Sequence, residues 1–236
     1  MTRILFNPFS VLMLLLLLVV LVFVLPLLFL SVVGGAFLSL GFTWREAMLI
    51  LLLTLAGSFV NIPVKRIEGG PVRLETRVDP FFGRVYRIPV TSPTTVLAVN
   101  LGGAVIPVVI SLYLLVRSVT LTGGIGILVA ALAGIGVVAA VTHRVARPVP
   151  GLGIAIPFFI PPLVALVCAL VLAAPFGGGW PGVVIAYTAG TLGTLIGADI
   201  LNLGRIADLG APMASIGGAG TFDGVFLSGV IAAFLA

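Results

Sequence analysis

Charge is scarce in this sequence. Only 8% of its 236 residues are Asp, Glu, Lys or Arg, against about 25% in a typical soluble domain. With 61% hydrophobic residues, a water-soluble fold could not cover its surface with polar side chains. That class is excluded, and lipid is left as the solvent for most of the chain. Cysteine and histidine are scarcer still. Cys168 and His143 each stand alone, so neither an internal disulfide nor a Cys/His metal cluster can be built, and no metal or other cofactor is expected. There is no nucleotide-binding loop and no dinucleotide fingerprint in a strand–helix context. Internal repeats are missing as well, which sets the chain apart from many secondary transporters.

Basic residues outnumber acidic ones, for a net charge of +5. They lie in short segments between apolar runs. That placement points to membrane orientation and gives no case for nucleic acid as a partner.

The mean hydropathy of +1.35 is concentrated in seven runs, near 11–40, 47–62, 94–116, 121–142, 153–174, 181–203 and 216–236. Each is read as long enough to cross roughly 30 Å of hydrocarbon. The expected fold is an all-α polytopic membrane protein of about seven transmembrane helices, forming one domain over 1–236. The first run is about twice as long as a signal-peptide core of about 7–15 residues. A retained helix kinked near Pro26 is therefore preferred over cleavage after Val33-Gly34-Gly35-Ala36. With the N-terminus cytoplasmic, ten of the twelve Lys and Arg residues fall on the cytoplasmic side, and only Arg45 and Arg117 fall outside. The positive-inside rule thus favours seven spans with the C-terminus outside. The one sizeable loop, 63–93, is expected to be cytoplasmic. Its alternating stretches 72–76 and 85–88 flank the turn-like Asp79-Pro80-Phe81-Phe82-Gly83, which predicts a small amphipathic β-hairpin. It serves either as an ordered connector or as a strand edge for an extended peptide.

Charged groups within hydrocarbon are functional candidates by default. Two stand out, Asp199 in the sixth run and Asp223 in the seventh. Counting inward from Arg205 and from Ser215 puts them roughly 9 and 12 Å deep at 1.5 Å per residue, both toward the cytoplasmic side. Asn100, Pro107, Pro157, Pro161, Pro162 and Asn202 fall in the same layer. Prolines free backbone carbonyls, so a hydrated, partly unwound cavity open to the cytoplasm is expected there. Gly220 and Gly224 bracket Asp223 at the spacing that lets helices approach closely. The stripe Gly190, Gly193 and Gly197 points well over 100° away from Asp199 on a regular helix. The two carboxyls can meet only if the helix breaks near Ile196-Gly197-Ala198, or if that stripe packs on a third helix.

Four stretches together carry a resemblance: Val99-Asn100-Leu101-Gly102-Gly103-Ala104-Val105-Ile106-Pro107, Ala146-Arg147-Pro148-Val149-Pro150-Gly151, Gly190 through Asp199, and Gly217 through Gly224. Over roughly 45 to the C-terminus the chain resembles the prokaryotic membrane family called domain of unknown function 1614. The resemblance implies a multi-pass protein of a prokaryotic cell membrane, and no particular activity. Gly218-Ala219-Gly220-Thr221-Phe222-Asp223 is also similar to the G-x-G-D motif of the presenilin, signal-peptide-peptidase and prepilin-peptidase group, with two residues intervening before the aspartate. That similarity implies catalytic roles for Asp199 and Asp223.

Three functions are consistent with this pattern. Two carboxyls sharing one proton activate water against a membrane-embedded peptide. Alternatively, the aspartates bind a proton or small cation beside unwound helices in a small transporter or channel. In the third, they are protonated structural groups of a membrane accessory protein. Asn100, Pro107, Pro157, Pro161, Pro162, Asn202, Gly220 and Gly224 line the site in the first two.

Overall fold

The computed structural model describes residues 8–68, 74–78, 85–89, 94–122, 124–149, 153–205, 211–218 and 224–236. The unbroken apolar run at the start forms α1 (Pro8–Val19), a π-turn (Val20–Val24) and α2 (Leu25–Ser39). Proline lacks the N–H for an i→i−4 bond, and the π-turn just before Pro26 takes up the misfit. Helix α3 (Trp44–Gly57) starts on a capping box: Glu46 N–H donates to Thr43 Oγ1, while Glu46 Oε2 accepts from the Thr43 N–H at 2.7 Å. These bonds hold the Glu46 carboxyl below the usual carboxylate range, with the Thr43 backbone N–H the main cause.

The chain then turns into strands. β1 (Asn61–Glu68) is followed by the antiparallel pair β2 (Leu74–Val78) and β3 (Val85–Pro89), and then by β4 (Thr94–Asn100). A π-turn (Leu101–Val105) opens α4 (Ile106–Thr122), and α5 (Gly126–Val145) follows. A short antiparallel pair, β5 (Arg147–Val149) and β6 (Gly153–Ala155), precedes α6 (Ile160–Leu172). Helix α7 (Trp180–Thr194) runs on through a π-turn (Leu195–Asp199) and a 3₁₀ turn (Ile200–Arg205). The last described elements are β7 (Met213–Ile216) and α8 (Gly224–Leu235).

Helix α7 is the centre of the bundle. Twelve of its fifteen residues are buried, which fits a helix that is apolar or small on every face. Tyr187, Phe37 and Phe226 pack together at its middle, the ring of Phe37 lying 5.9 Å from Tyr187 and 6.4 Å from Phe226. Gly190 lies against the Ser228–Gly229 backbone of α8, whereas Gly193 and Gly197 lie against α5. From Leu12 to Leu28, through α1 and the π-turn into the start of α2, the large apolar side chains other than Val20 are exposed, a surface suited to lipid.

Four helical stretches among the described residues are long and apolar enough to cross a membrane: Phe9–Ser39, Leu101–Thr122, Gly126–Val145 and Trp180–Arg205. The expectation of seven full-length helices in an all-α fold is corrected here. Helices α6 and α8 have 13 and 12 residues, or roughly 20 and 18 Å at 1.5 Å per residue. The missing length is extended backbone. Residues 94–100 were expected to begin a helix, but Thr94-Thr95-Val96 and Val99 are β-branched and favour a strand. The runs 47–62, 153–174 and 216–236 likewise include strand residues from β1, β6 and β7. β1, β4 and β7 form one sheet in that order; β1 runs antiparallel and β7 parallel to β4. It lies at the end of the bundle where α3 stops and α4 starts. At the opposite end, the Trp180 indole donates to Leu40 O at 2.9 Å, and Arg117 reaches Gly41 O.

Candidate functional site

Polar groups gather where the three-stranded sheet meets the helix ends. Asn100 is the last residue of β4 and is fully buried. Its Oδ1 accepts from the Gly103 N–H at 2.7 Å, which caps the turn leading into α4. Its Nδ2 donates to Ser58 O at 2.7 Å and to Asn61 Oδ1 at 3.0 Å. Asn61 Oδ1 also accepts from Ser215 Oγ at 2.6 Å. One amide oxygen therefore ties β1 to both β4 and β7.

Glycines make this convergence possible. A Cβ on Gly102 would collide with Thr54 O and Ser58 N of α3, and one on Gly103 with Gly217 O. Gly217 and Gly218 both have φ of +81°, a left-handed backbone that other residues rarely adopt. That bend turns the chain away from the sheet just after β7.

Asp199 ends the π-turn of α7, half-buried. Its Oδ2 accepts from the Gly217 N–H at 2.6 Å. The helix is thus irregular over Leu195–Asp199, the stretch where a break would be needed to re-aim the aspartate. Gly193 and Gly197 pack on a third helix, α5, with Gly197 against Ala139 O and Thr142. Asp223 and Gly220 lie outside the described residues. Gly217 stands six positions before Asp223 in the chain.

Asn202 folds back on the same turn. It is buried, and its Nδ2 donates to Gly197 O and Ala198 O, both at 2.9 Å. Both carbonyls lie where the helix passes from π to 3₁₀ geometry. Asn202 Oδ1 and Thr142 Oγ1 are buried with no hydrogen-bond partner among the described residues.

The prolines play a different part from the one expected. Pro161 and Pro162 are buried at the start of α6, where a missing N–H costs nothing. They start a helix and do not interrupt one. Pro157 is exposed in the turn before them, its carbonyl accepting from Ile160 N–H at 3.2 Å. Pro107 is buried in the first turn of α4, and its carbonyl accepts from Ser111 Oγ at 2.8 Å. Gly224 begins α8 near the Ile156 side chain. So Asp199 bonds the bend at Gly217, Asn100 borders it through Gly103, Asn202 ties the turn that ends at Asp199, and the prolines serve the helix starts around them. Asn61, Ser215 and Gly217 join this layer although none is among the site residues expected from the sequence. Asn61 looked like the end of an apolar span, and the adjacent Gly217-Gly218 pair was the signal that a sharp bend follows.

No group of three or more His, Cys, Asp or Glu suited to a metal occurs among the described residues. The polar groups described there are amide, hydroxyl, backbone and one carboxylate.

The architecture defines the class: a helical bundle with membrane-spanning elements, joined to a small sheet through a polar bend. The chain belongs to the family described as Protein of unknown function (DUF1614), whose model matches residues 55–235. No curated protein and no solved structure matches it.

Proposed function

We propose that the chain is an intramembrane aspartyl hydrolase acting on membrane-embedded peptides, with Asp199 and Asp223 as the catalytic pair. The observation that carries the reading is the hydrogen bond from Gly217 N–H to Asp199 Oδ2. It ties the first aspartate to the glycine-rich segment that holds the second. The irregular turn at Leu195–Asp199 supports it further, because a regular helix would turn the carboxyl elsewhere.

In this reading one carboxylate takes a proton from water as the oxygen attacks the scissile carbonyl carbon. The other carboxyl, protonated, gives its proton to the carbonyl oxygen. The resulting gem-diol then collapses. The C–N bond breaks, the departing nitrogen takes up a proton from the first carboxyl, and a diol hydroxyl returns a proton to the second. β7 is an edge strand of its sheet and leads directly into the Gly217 bend. An extended substrate added along that edge would pass Asp199, in the manner of strand addition. Lys65 and Arg66 on β1 and Arg205 at the end of the α7 stretch support a cytoplasmic position for this sheet.

A second reading, proton- or cation-linked transport, is favoured by Asn202 Oδ1 and Thr142 Oγ1 beside the same turn, both buried with no hydrogen-bond partner among the described residues. One reconstitution separates the two. Purified protein in vesicles is given a fluorescent reporter peptide with one membrane span, and vesicle pH is followed in parallel. Cleavage by the wild type and its loss in both Asp199→Asn and Asp223→Asn supports hydrolysis. Normal cleavage by either variant rejects it. Proton flux abolished by the same substitutions, with no peptide cut, establishes transport instead.

A further inference from the structure

A second feature lies at the far end of the bundle. Helices α3 and α4 part along their outer faces and leave a groove of about 420 Å³ lined by Leu49, Leu53, Val109, Ile110 and Tyr113, within the about 300–1,000 Å³ typical of small-molecule sites. Leu49, Leu53 and Val109 are each 58–59% exposed, so the groove opens toward the surrounding lipid. Its chemistry changes along its length. The inner end is hydrocarbon only. The outer end reaches Glu46, and Arg117 stands one turn beyond Tyr113 on α4.

Arg117 is held in place but poorly satisfied. Its guanidinium carbon lies 6.0 Å from the Tyr113 ring centre and 5.8 Å from that of Trp180. Of its five N–H donors, one makes a long 3.4 Å bond to Gly41 O, its only hydrogen bond among the described residues. Glu46 has capacity left too: Oε2 serves the Thr43 cap, and Oε1 makes no hydrogen bond among the described residues. Trp44, Trp180 and Tyr113 cluster at this end, the residue types that mark the headgroup level.

We infer that this groove is a site for one phospholipid with a phosphoethanolamine headgroup: its acyl chain lies along Leu49, Leu53 and Val109, its phosphate on Arg117 and its ammonium on Glu46. The pairing of signs selects this occupant. A second copy of the chain would bring another apolar helix face, with nothing for the open donors of Arg117 or for Glu46 Oε1. An anionic lipid without an amine would satisfy Arg117 and set Glu46 against it. Arginine suits phosphate because its planar donors bind two oxygens at once.

Native mass spectrometry on the full chain, stripped of lipid and titrated with phosphatidylethanolamine, phosphatidylglycerol or phosphatidylcholine, tests the inference. Each variant is titrated well below its own melting temperature, so that misfolding is not read as lost binding. The expected result is one retained phosphatidylethanolamine per chain. Arg117→Gln should weaken it at least tenfold, Glu46→Gln should erase its advantage over phosphatidylglycerol, and Val109→Trp should block it by filling the groove. Equal retention of all three lipids overturns the inference. So does undiminished binding in Arg117→Gln, or in Val109→Trp, or a dimer mass in place of the lipid adduct.

Discussion

Replacing Asn100 with alanine would remove the centre of the polar junction between sheet and helices. The side chain is fully buried and makes three hydrogen bonds, of 2.7, 2.7 and 3.0 Å. Loss of the cap on Gly103 N–H costs about 1 kcal/mol, and leaving the Ser58 carbonyl buried without its donor costs about 1–3 kcal/mol. At about 2–4 °C per kcal/mol for a chain of this size, the expected fall in Tm is about 5–15 °C. The protein supplies its own reporter, since Cys168 is its sole cysteine and is only 8% exposed. A thiol-reactive fluorogenic dye in detergent would label it as the bundle opens. Asn100→Asp is the informative control. It keeps an acceptor for Gly103 N–H but turns a carboxylate oxygen toward two other acceptors, Ser58 O and Asn61 Oδ1, and should melt lower than Asn100→Ala. An alanine variant melting within about 2 °C of the wild type, or an aspartate variant as stable as asparagine, would refute the reasoning.

Other substitutions probe separate parts of the structure. Asp199→Asn keeps an oxygen that can accept from Gly217 N–H and is expected to melt close to the wild type, whereas Asp199→Ala should melt lower; the same melts would show whether lost activity reflects lost structure. Gly229→Ala would drive a methyl group into Thr191 Oγ1 and to 2.9 Å from Tyr187 O, an overpacking expected to cost about 1–3 kcal/mol. Gly136→Ala meets nothing within 4 Å on the same test and should gain up to about 1 kcal/mol from helix propensity; denaturation of the pair in one detergent compares them directly. The lowered pKa of Glu46 makes a pH prediction. A depressed carboxyl contributes stability above its unfolded value, near 4.3, and that contribution is lost as pH falls through the lower folded value. Melts from pH 7 down to pH 3 should therefore fall more steeply in the wild type than in Glu46→Gln, and parallel curves would contradict this.

Hydropathy made the membrane-spanning character legible and matched the apolar helical stretches Phe9–Ser39 and Trp180–Arg205 within a few residues, whereas the run 94–116 began well before α4. It could not separate helix from strand in short apolar runs. Thr94–Asn100 and the residues around Asn61 and Ser215 carry enough hydrophobicity to pass for span ends, and only their β-branched content and the neighbouring glycines argue otherwise. Asn100, Asp199 and Asn202 stood out because polar groups are rare in such a chain. Their partners did not, because those partners are mostly backbone: Ser58 O, Gly103 N–H, Gly197 O and Gly217 N–H carry the bonds, and backbone donors have no sequence signature. The prolines misled for a related reason. A proline two residues into a helix and one in its middle read alike until the helix start is known, and here Pro161 and Pro162 lie at the start.

The parallel pairing of β4 with β7 has a consequence for how the protein is made. Thr95 Oγ1 donates to Ala211 O across 116 positions of chain, and α4 through α7 lie between the two strands. Local hairpins and neighbouring helices form early in folding, while contacts of high sequence separation wait for the intervening loop to be ordered. Ribosomal synthesis adds a second delay, because β7 emerges after those four helices. The part of the junction that joins Asn61 and Asp199 to Ser215 and Gly217 therefore closes only after those helices have been made. Until it does, the β4 edge that will receive β7 stays open, and that interval is when nascent chains are most exposed to mispairing with each other.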